Sequence, residues 1–189
     1  MEKKRKLLLF VYLFASTLLY GQAVGVKTNV LMDLTKTINL GAEIGLTPNT
    51  TLDLYANYNP WEQNNYKMFK MLAFQPEYRY WLCESFDGHF VGVHAHGGIY
   101  QAAGIDMPFG LWKDLEDYRY KGYFYGAGLS YGYQWVISKH WNVEFNVGVG
   151  YIRVRYEKYP CIECGDKVDE GYKNYFGPTK TSVSLIFLF

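Results

Sequence analysis

Beyond position 23 no apolar run reaches the ~18 residues that a membrane-spanning helix needs, so a mature protein held in a membrane would have to cross it as strands. An excess of charge is missing too. The chain has 19 Lys+Arg against 18 Asp+Glu, and setting aside Glu2, Lys3, Lys4, Arg5 and Lys6 leaves 15 against 17 from Val24 onward. A nucleic-acid-binding domain would carry a basic excess, so nucleic acid is not an expected partner. No internal repeat and no low-complexity linker divides the chain, which reads as one domain. Cysteine is scarce, at three residues. No motif calls for a cofactor, and none discloses a specific activity.

What is abundant is aromatic. Phe, Tyr and Trp make up 19% of the chain, with 19 Tyr and 5 Trp, which suits strands and is too many for a disordered segment. The first 23 residues read as a secretory signal peptide. They combine a cationic start, an apolar stretch from Leu7 to Leu19, and the small-x-small triplet Gly21-Gln22-Ala23. The domain is expected over residues 24–189, in a compartment where disulfides persist.

From Val24 onward, period-two alternation recurs between turn signals. Eight strands are predicted, over about 24–33, 38–47, 51–58, 70–84, 89–102, 120–137, 141–156 and 179–189. Their connections alternate in length. Pro48-Asn49-Thr50, Ser85-Phe86-Asp87-Gly88 and Ser138-Lys139-His140 are tight, whereas 59–69, 103–119 and 157–178 are long, and only Leu34 to Thr37 departs from the pattern. An even count with short turns at one end and long loops at the other is the plan of an all-β, eight-stranded antiparallel transmembrane β-barrel in the outer membrane of a Gram-negative bacterium.

The segment 120–137 separates this reading from a soluble barrel. Tyr123, Tyr125, Ala127, Leu129, Tyr131, Tyr133 and Trp135 share one face, and Gly, Ser and Gln dominate the other. A soluble barrel points its bulk inward and its polar groups toward water, whereas here the small polar face suits a crowded interior and the aromatics suit two interfacial girdles. The last segment alternates likewise and stops on Phe189, which resembles the signal read by the barrel assembly machinery.

Several passages carry a family likeness: Lys27-Thr28-Asn29, Asn59-Pro60-Trp61, Gln75-Pro76-Glu77-Tyr78-Arg79-Tyr80-Trp81, His94-Ala95-His96-Gly97-Gly98 and Phe176-Gly177-Pro178-Thr179-Lys180. Through them the chain resembles a family of small, uncharacterised outer-membrane barrels classed as a domain of unknown function. The resemblance implies location and fold and lends no catalytic residue.

Parity places Lys27, Glu43, Asp53, Glu77, Arg79, Glu144 and Lys180 in the interior, where four anions and three cations should pair because an unpaired buried charge is costly. Acid/base chemistry or a proton path is the alternative use of such a set. His94 and His96, two apart, share the same side. Two imidazoles at that spacing ligate a metal only with a third ligand, and none is evidently placed to supply it, so hydrogen bonds from both to interior carboxylates are expected. Cys161 and Cys164 form a Cys-x-x-Cys in the last long loop, where a local disulfide is expected. Cys83 lies at the opposite end, beyond the reach of about 7 Å that a disulfide allows between Cα atoms. Among the residues 104–119, Phe109, Leu111, Trp112 and Leu115 either form a partner-binding surface or fold back over the barrel mouth.

Outward parity also puts Arg119, Lys121, Arg153 and Arg155 at one level of the long-loop rim, beside lipid headgroups. The phosphates of lipopolysaccharide are the expected partner there. The function expected is a structural or surface-interaction barrel with a filled interior. A lipid-modifying enzyme and a narrow channel or small-ligand binder remain as alternatives; a Ser130 nucleophile would need His94 or His96 within hydrogen-bond reach.

Overall fold

The computed structural model describes residues 23–60, 62–63, 67–104, 115, 118–160 and 166–189. Residues 1–22, with most of the predicted signal peptide, and the pair Cys161 and Cys164 lie outside the described residues, as do Phe109, Leu111 and Trp112.

The chain forms eight antiparallel strands closed into a ring: β1 (Val24–Asn29), β2 (Ile38–Thr47), β3 (Thr50–Asn59), β4 (Lys67–Trp81), β5 (Gly88–Ala103), β6 (Arg119–Val136), β7 (Trp141–Tyr159) and β8 (Asp169–Leu188). Each strand pairs with its sequence neighbours, and β1 closes the ring against β8, from Gly25 opposite Leu188 to Asn29 opposite Ser184. Closure leaves the short-turn end even. The other end is not: β1 has 6 residues and β8 has 20, so the wall stands tall along β4 to β8 and low along β1 and β2.

Three local departures from the expected strands have physical causes. The strand predicted to reach Asp33 stops at Asn29, because the Asn29 side chain accepts the Leu31 N–H at 3.1 Å and caps one helical turn, α1 (Val30–Leu34). The stretch 157–178, expected to be a long loop, is largely strand. β7 runs on to Tyr159 and β8 begins at Asp169, since the Tyr and charged residues there keep the period-two pattern on paired faces. Pro178, which lacks an N–H, is accommodated by a bulge in which Gly148 faces Lys180 and Val149 faces Pro178. The loop expected over residues 59–69 is likewise shortened, by Glu62–Gln63 pairing with Lys67–Met68.

Polarity is distributed inside out. Among the described residues, 22 buried residues are polar or charged and 11 are apolar, while Leu40, Leu72, Val93, Ile99, Leu129 and Val149 are exposed at half or more of their surface. The outward faces carry Tyr80, Trp135, Trp141 and Phe187 toward the short-turn end, and Tyr58, Tyr123, Tyr125 and Tyr151 toward the other.

At the short-turn end an apolar layer fills the interior. Phe86, in the turn between β4 and β5, folds inward at 5% exposure and packs on Trp81 with ring centroids 6.1 Å apart, on the turn side of Phe90 and Ile186. Its backbone adopts φ +69°, a strain of roughly 1–3 kcal/mol for a non-glycine residue. The carbonyl of Phe86 offsets this by accepting from Gln134 Nε2 at 2.9 Å and Asn142 Nδ2 at 3.1 Å. At the tall end, Leu115 is buried against Ala102 and Tyr120, and its carbonyl accepts from the Gly104 N–H at 2.7 Å. Of the four apolar residues in that loop, it is the one whose position is described, and it folds back toward the barrel mouth.

Candidate functional site

All seven charged residues that parity assigns to the interior meet in one buried network. Lys27 reaches down from β1 to Glu43 at 2.5 Å, Asp53 at 3.2 Å and Glu144 at 3.2 Å. Arg79 on β4 lies at the centre. Its Nη1 donates to Glu43 at 2.9 Å and Glu144 at 2.7 Å, its Nη2 to Asp53 at 2.7 Å and Glu144 at 3.1 Å, and its Nε to Glu77 at 2.9 Å. Lys180 bonds Glu77 and lies 3.6 Å from Asp53. The planar guanidinium explains why arginine occupies the centre, since its fixed fork serves four carboxylates at once, which an ammonium cannot do.

Neutral groups complete the set. Thr51 donates to Glu43 and accepts from Trp81 Nε1 at 3.0 Å. Ser130 and Asn146 both donate to Glu77, at 3.1 and 3.2 Å. The ring of Phe90 stacks 4.4 Å below the Arg79 guanidinium. Parity would have found Thr51 and Asn146 as well, since they share faces with Asp53 and Glu144. The partners of Thr51, however, lie on the two flanking strands and that of Asn146 lies across the interior, which no spacing within one strand reveals.

The histidines sit one layer above. His94 Nε2 is 2.9 Å from Thr179 Oγ1, a hydroxyl in place of the interior carboxylate expected for it, and its ring centroid is 5.6 Å from that of His96. The bulge makes the first contact possible: Thr179 and Lys180 both turn inward, although neighbours on a regular strand point to opposite faces. Gly126 and Gly128 leave room for the two rings. A Cβ built on Gly126 would come within 2.5 Å of His96 Nε2, and one on Gly128 within 2.8 Å of His94. Among the described residues no third His, Cys, Asp or Glu joins the pair to hold a metal ion. Ser130 is bonded to a carboxylate rather than to either imidazole, so the nucleophile–base contact that acyl chemistry requires is not formed.

The four outward cations are spread more widely than parity alone indicates. Arg119 faces Tyr159, Lys121 faces Glu157, Arg155 faces Tyr123 and Arg153 faces Tyr125, so they occupy four successive outward rungs of the β6–β7 ladder rather than one level. Parity gives the face of a strand; the register, set by the turn at 137–140, gives the height. Each cation lies over a tyrosine ring: Arg119 and Lys121 over Tyr159, Arg153 and Arg155 over Tyr172. Glu157 is 3.5 Å from Lys121 and Glu170 is 3.7 Å from Arg155. Beside this ladder, on the outer wall, a groove of about 710 Å³ runs from Tyr58 past Leu72 and Ile99 to Tyr123, with Arg155 at the end of that rung and Lys70 and Lys121 on the next. At the opposite end the thiol of Cys83 is free and exposed.

The sequence model of a family described as proteins of unknown function, DUF3575, matches residues 7–189. The chain belongs to the DUF3575 family. No curated protein and no solved structure matches it. For this DUF3575 protein, the family assignment therefore carries no ligand or reaction, and a reading of function rests on the interior network, the outer wall and the rim.

Proposed function

We propose that this DUF3575 protein is a small outer-membrane barrel of a Gram-negative envelope, with a filled interior and a structural or surface-interaction role played by its tall end. The observation that carries this reading is the inversion of polarity. In water, a ring exposing Leu40, Leu72, Val93, Ile99, Leu129 and Val149 would be unstable against aggregation. In a bilayer the same surface is matched, and over the height at which the ring is closed the ladder satisfies the backbone N–H and C=O groups that lipid cannot. The outward aromatics at two levels suit the two interfaces, and the charged rungs of β6 and β7, two within the upper level and two beyond it, suit its headgroup zone.

The interior supports a filled barrel over a channel. Phe86, Trp81, Phe90 and Ile186 occupy the short-turn end, and the Arg79-centred network occupies the layer above. An eight-stranded ring encloses just enough space for its own side chains. The extended hairpin of β7 and β8, together with the loops at that end, would be what a partner at the cell surface meets.

Fractionation tests the reading. The protein should sediment with outer membranes and run at different apparent sizes in heated and unheated gels, as closed barrels do. Recovery in the soluble periplasmic fraction would contradict it.

A further inference from the structure

Resting on the outer-membrane reading, we propose that the groove on the outer wall seats one molecule of lipid A, with a phosphate on Lys121 and Arg155 and an acyl chain over Leu72 and Ile99. The groove is graded in the way such a lipid is. Tyr58, Leu72, Ile99 and Tyr123 make one outward rung and an apolar floor from β3 to β6, Arg155 ends that rung on β7, and Lys121 stands on the next outward rung toward the tall end. In an asymmetric outer membrane, the leaflet at that end is built of lipid A, so its phosphates lie at the height of these side chains.

Lys121 and Arg155 are positioned but not consumed by their carboxylates. Charge-assisted bonds run at about 2.7–2.9 Å. The contacts to Glu157 and Glu170 are 3.5 and 3.7 Å, between side chains that are roughly one-third to one-half exposed apart from Glu157. Pairs of that kind contribute little, about 0–1 kcal/mol. Tyrosines position the charged heads themselves, with Lys121 Nζ 4.7 Å from the Tyr159 centroid and Arg155 Cζ 5.8 Å from that of Tyr123. The donors are thus pre-aimed, and a phosphate oxygen offers a shorter partner than either carboxylate does. Lys70 is bonded to Glu62 and closes the other side of the groove. The geometry narrows the four-cation patch expected from parity to two cations, because Arg119 and Arg153 do not line the groove.

The test uses the full-length protein, purified in detergent, stripped of lipid and titrated with hexa-acylated lipid A under native mass spectrometry. One bound equivalent is expected for the wild type, with binding about tenfold weaker in K121Q/R155Q, the effect of losing about 1.4 kcal/mol. Ile99→Trp, which fills the floor and leaves both cations in place, should weaken binding comparably. Two ligand arms need no variant: lipid A stripped of its phosphates and phosphatidylglycerol should each bind the wild type about tenfold more weakly than intact lipid A. A loss below about fivefold in the double variant, or phosphatidylglycerol binding within about fivefold of lipid A, overturns the site in favour of a general interfacial anchor. If the wild type sediments with outer membranes and shifts on heating but holds no lipid A, this inference alone fails. If it neither sediments nor shifts, the outer-membrane reading fails with it.

Discussion

Arg79 and Glu144 meet through two bonds, 2.7 and 3.1 Å long, although their strands lie three apart in the ring, so the pair spans the interior rather than following the wall. With Lys27, Glu43, Asp53, Glu77 and Lys180, it ties β1, β2, β3, β4, β7 and β8 into one buried unit. This layer has four carboxylates and three cations, so the loss of any cation leaves charge that burial cannot tolerate.

Arg79→Gln should therefore destabilise the barrel by about 3–5 kcal/mol, the usual cost of breaking a buried ionic cluster by removing one member. Arg79→Lys keeps the charge but loses the fork, and should fall between the variant and the wild type. The midpoint of the heat-dependent gel shift, or urea unfolding in detergent, measures both. An Arg79→Gln barrel as stable as wild type would mean that the network contributes no net stability.

A second expectation concerns Gly92, which lies opposite Ser130 on the neighbouring strand. A Cβ there would approach Ser130 Oγ at 2.5 Å and Glu77 Oε1 at 2.7 Å, both side-chain atoms. Gly92→Ala should destabilise by about 1–3 kcal/mol through overpacking. Adding Ser130→Gly should recover part of the loss, and a double-mutant cycle of unfolding free energies would report a coupling of about 0.5–3 kcal/mol. Additive effects would contradict the packing described here.

Phe86 combines an unfavourable backbone with a buried ring. Phe86→Ala should cost about 3 kcal/mol in the same unfolding assay, because the void beside Trp81 is not offset by relief of backbone strain in a residue that still carries a Cβ. No loss of stability would show that the ring does not pack into the short-turn end.

Much of this was legible in the sequence, for one physical reason. A strand shows residues i and i+2 to the same side, so the interior places of Glu77 and Arg79, or of Lys27, follow from their neighbours alone. What eluded that rule was whatever interrupts it or joins strands. The bulge turns Thr179 and Lys180 inward together, and only the first of them touches His94. The Asn29 cap converts the end of a predicted strand into a helical turn. The inward fold of Phe86 depends on the amides of Gln134 and Asn142 donating to its carbonyl from more than 45 residues away in sequence. The heights of Arg119, Lys121, Arg153 and Arg155 depend on register, which a face assignment leaves open.

Labelling from outside the cell tests the membrane-spanning claim most directly. Cys83 is exposed at the short-turn end, and Lys167 lies between β7 and β8 at the tall end. In a background with Cys161 and Cys164 changed to serine, a membrane-impermeant maleimide applied to intact cells should label Lys167→Cys and leave Cys83 untouched until the outer membrane is opened. Equal labelling of both positions in intact cells, or of neither until the envelope is breached, would contradict a barrel that crosses the outer membrane with its tall end outside.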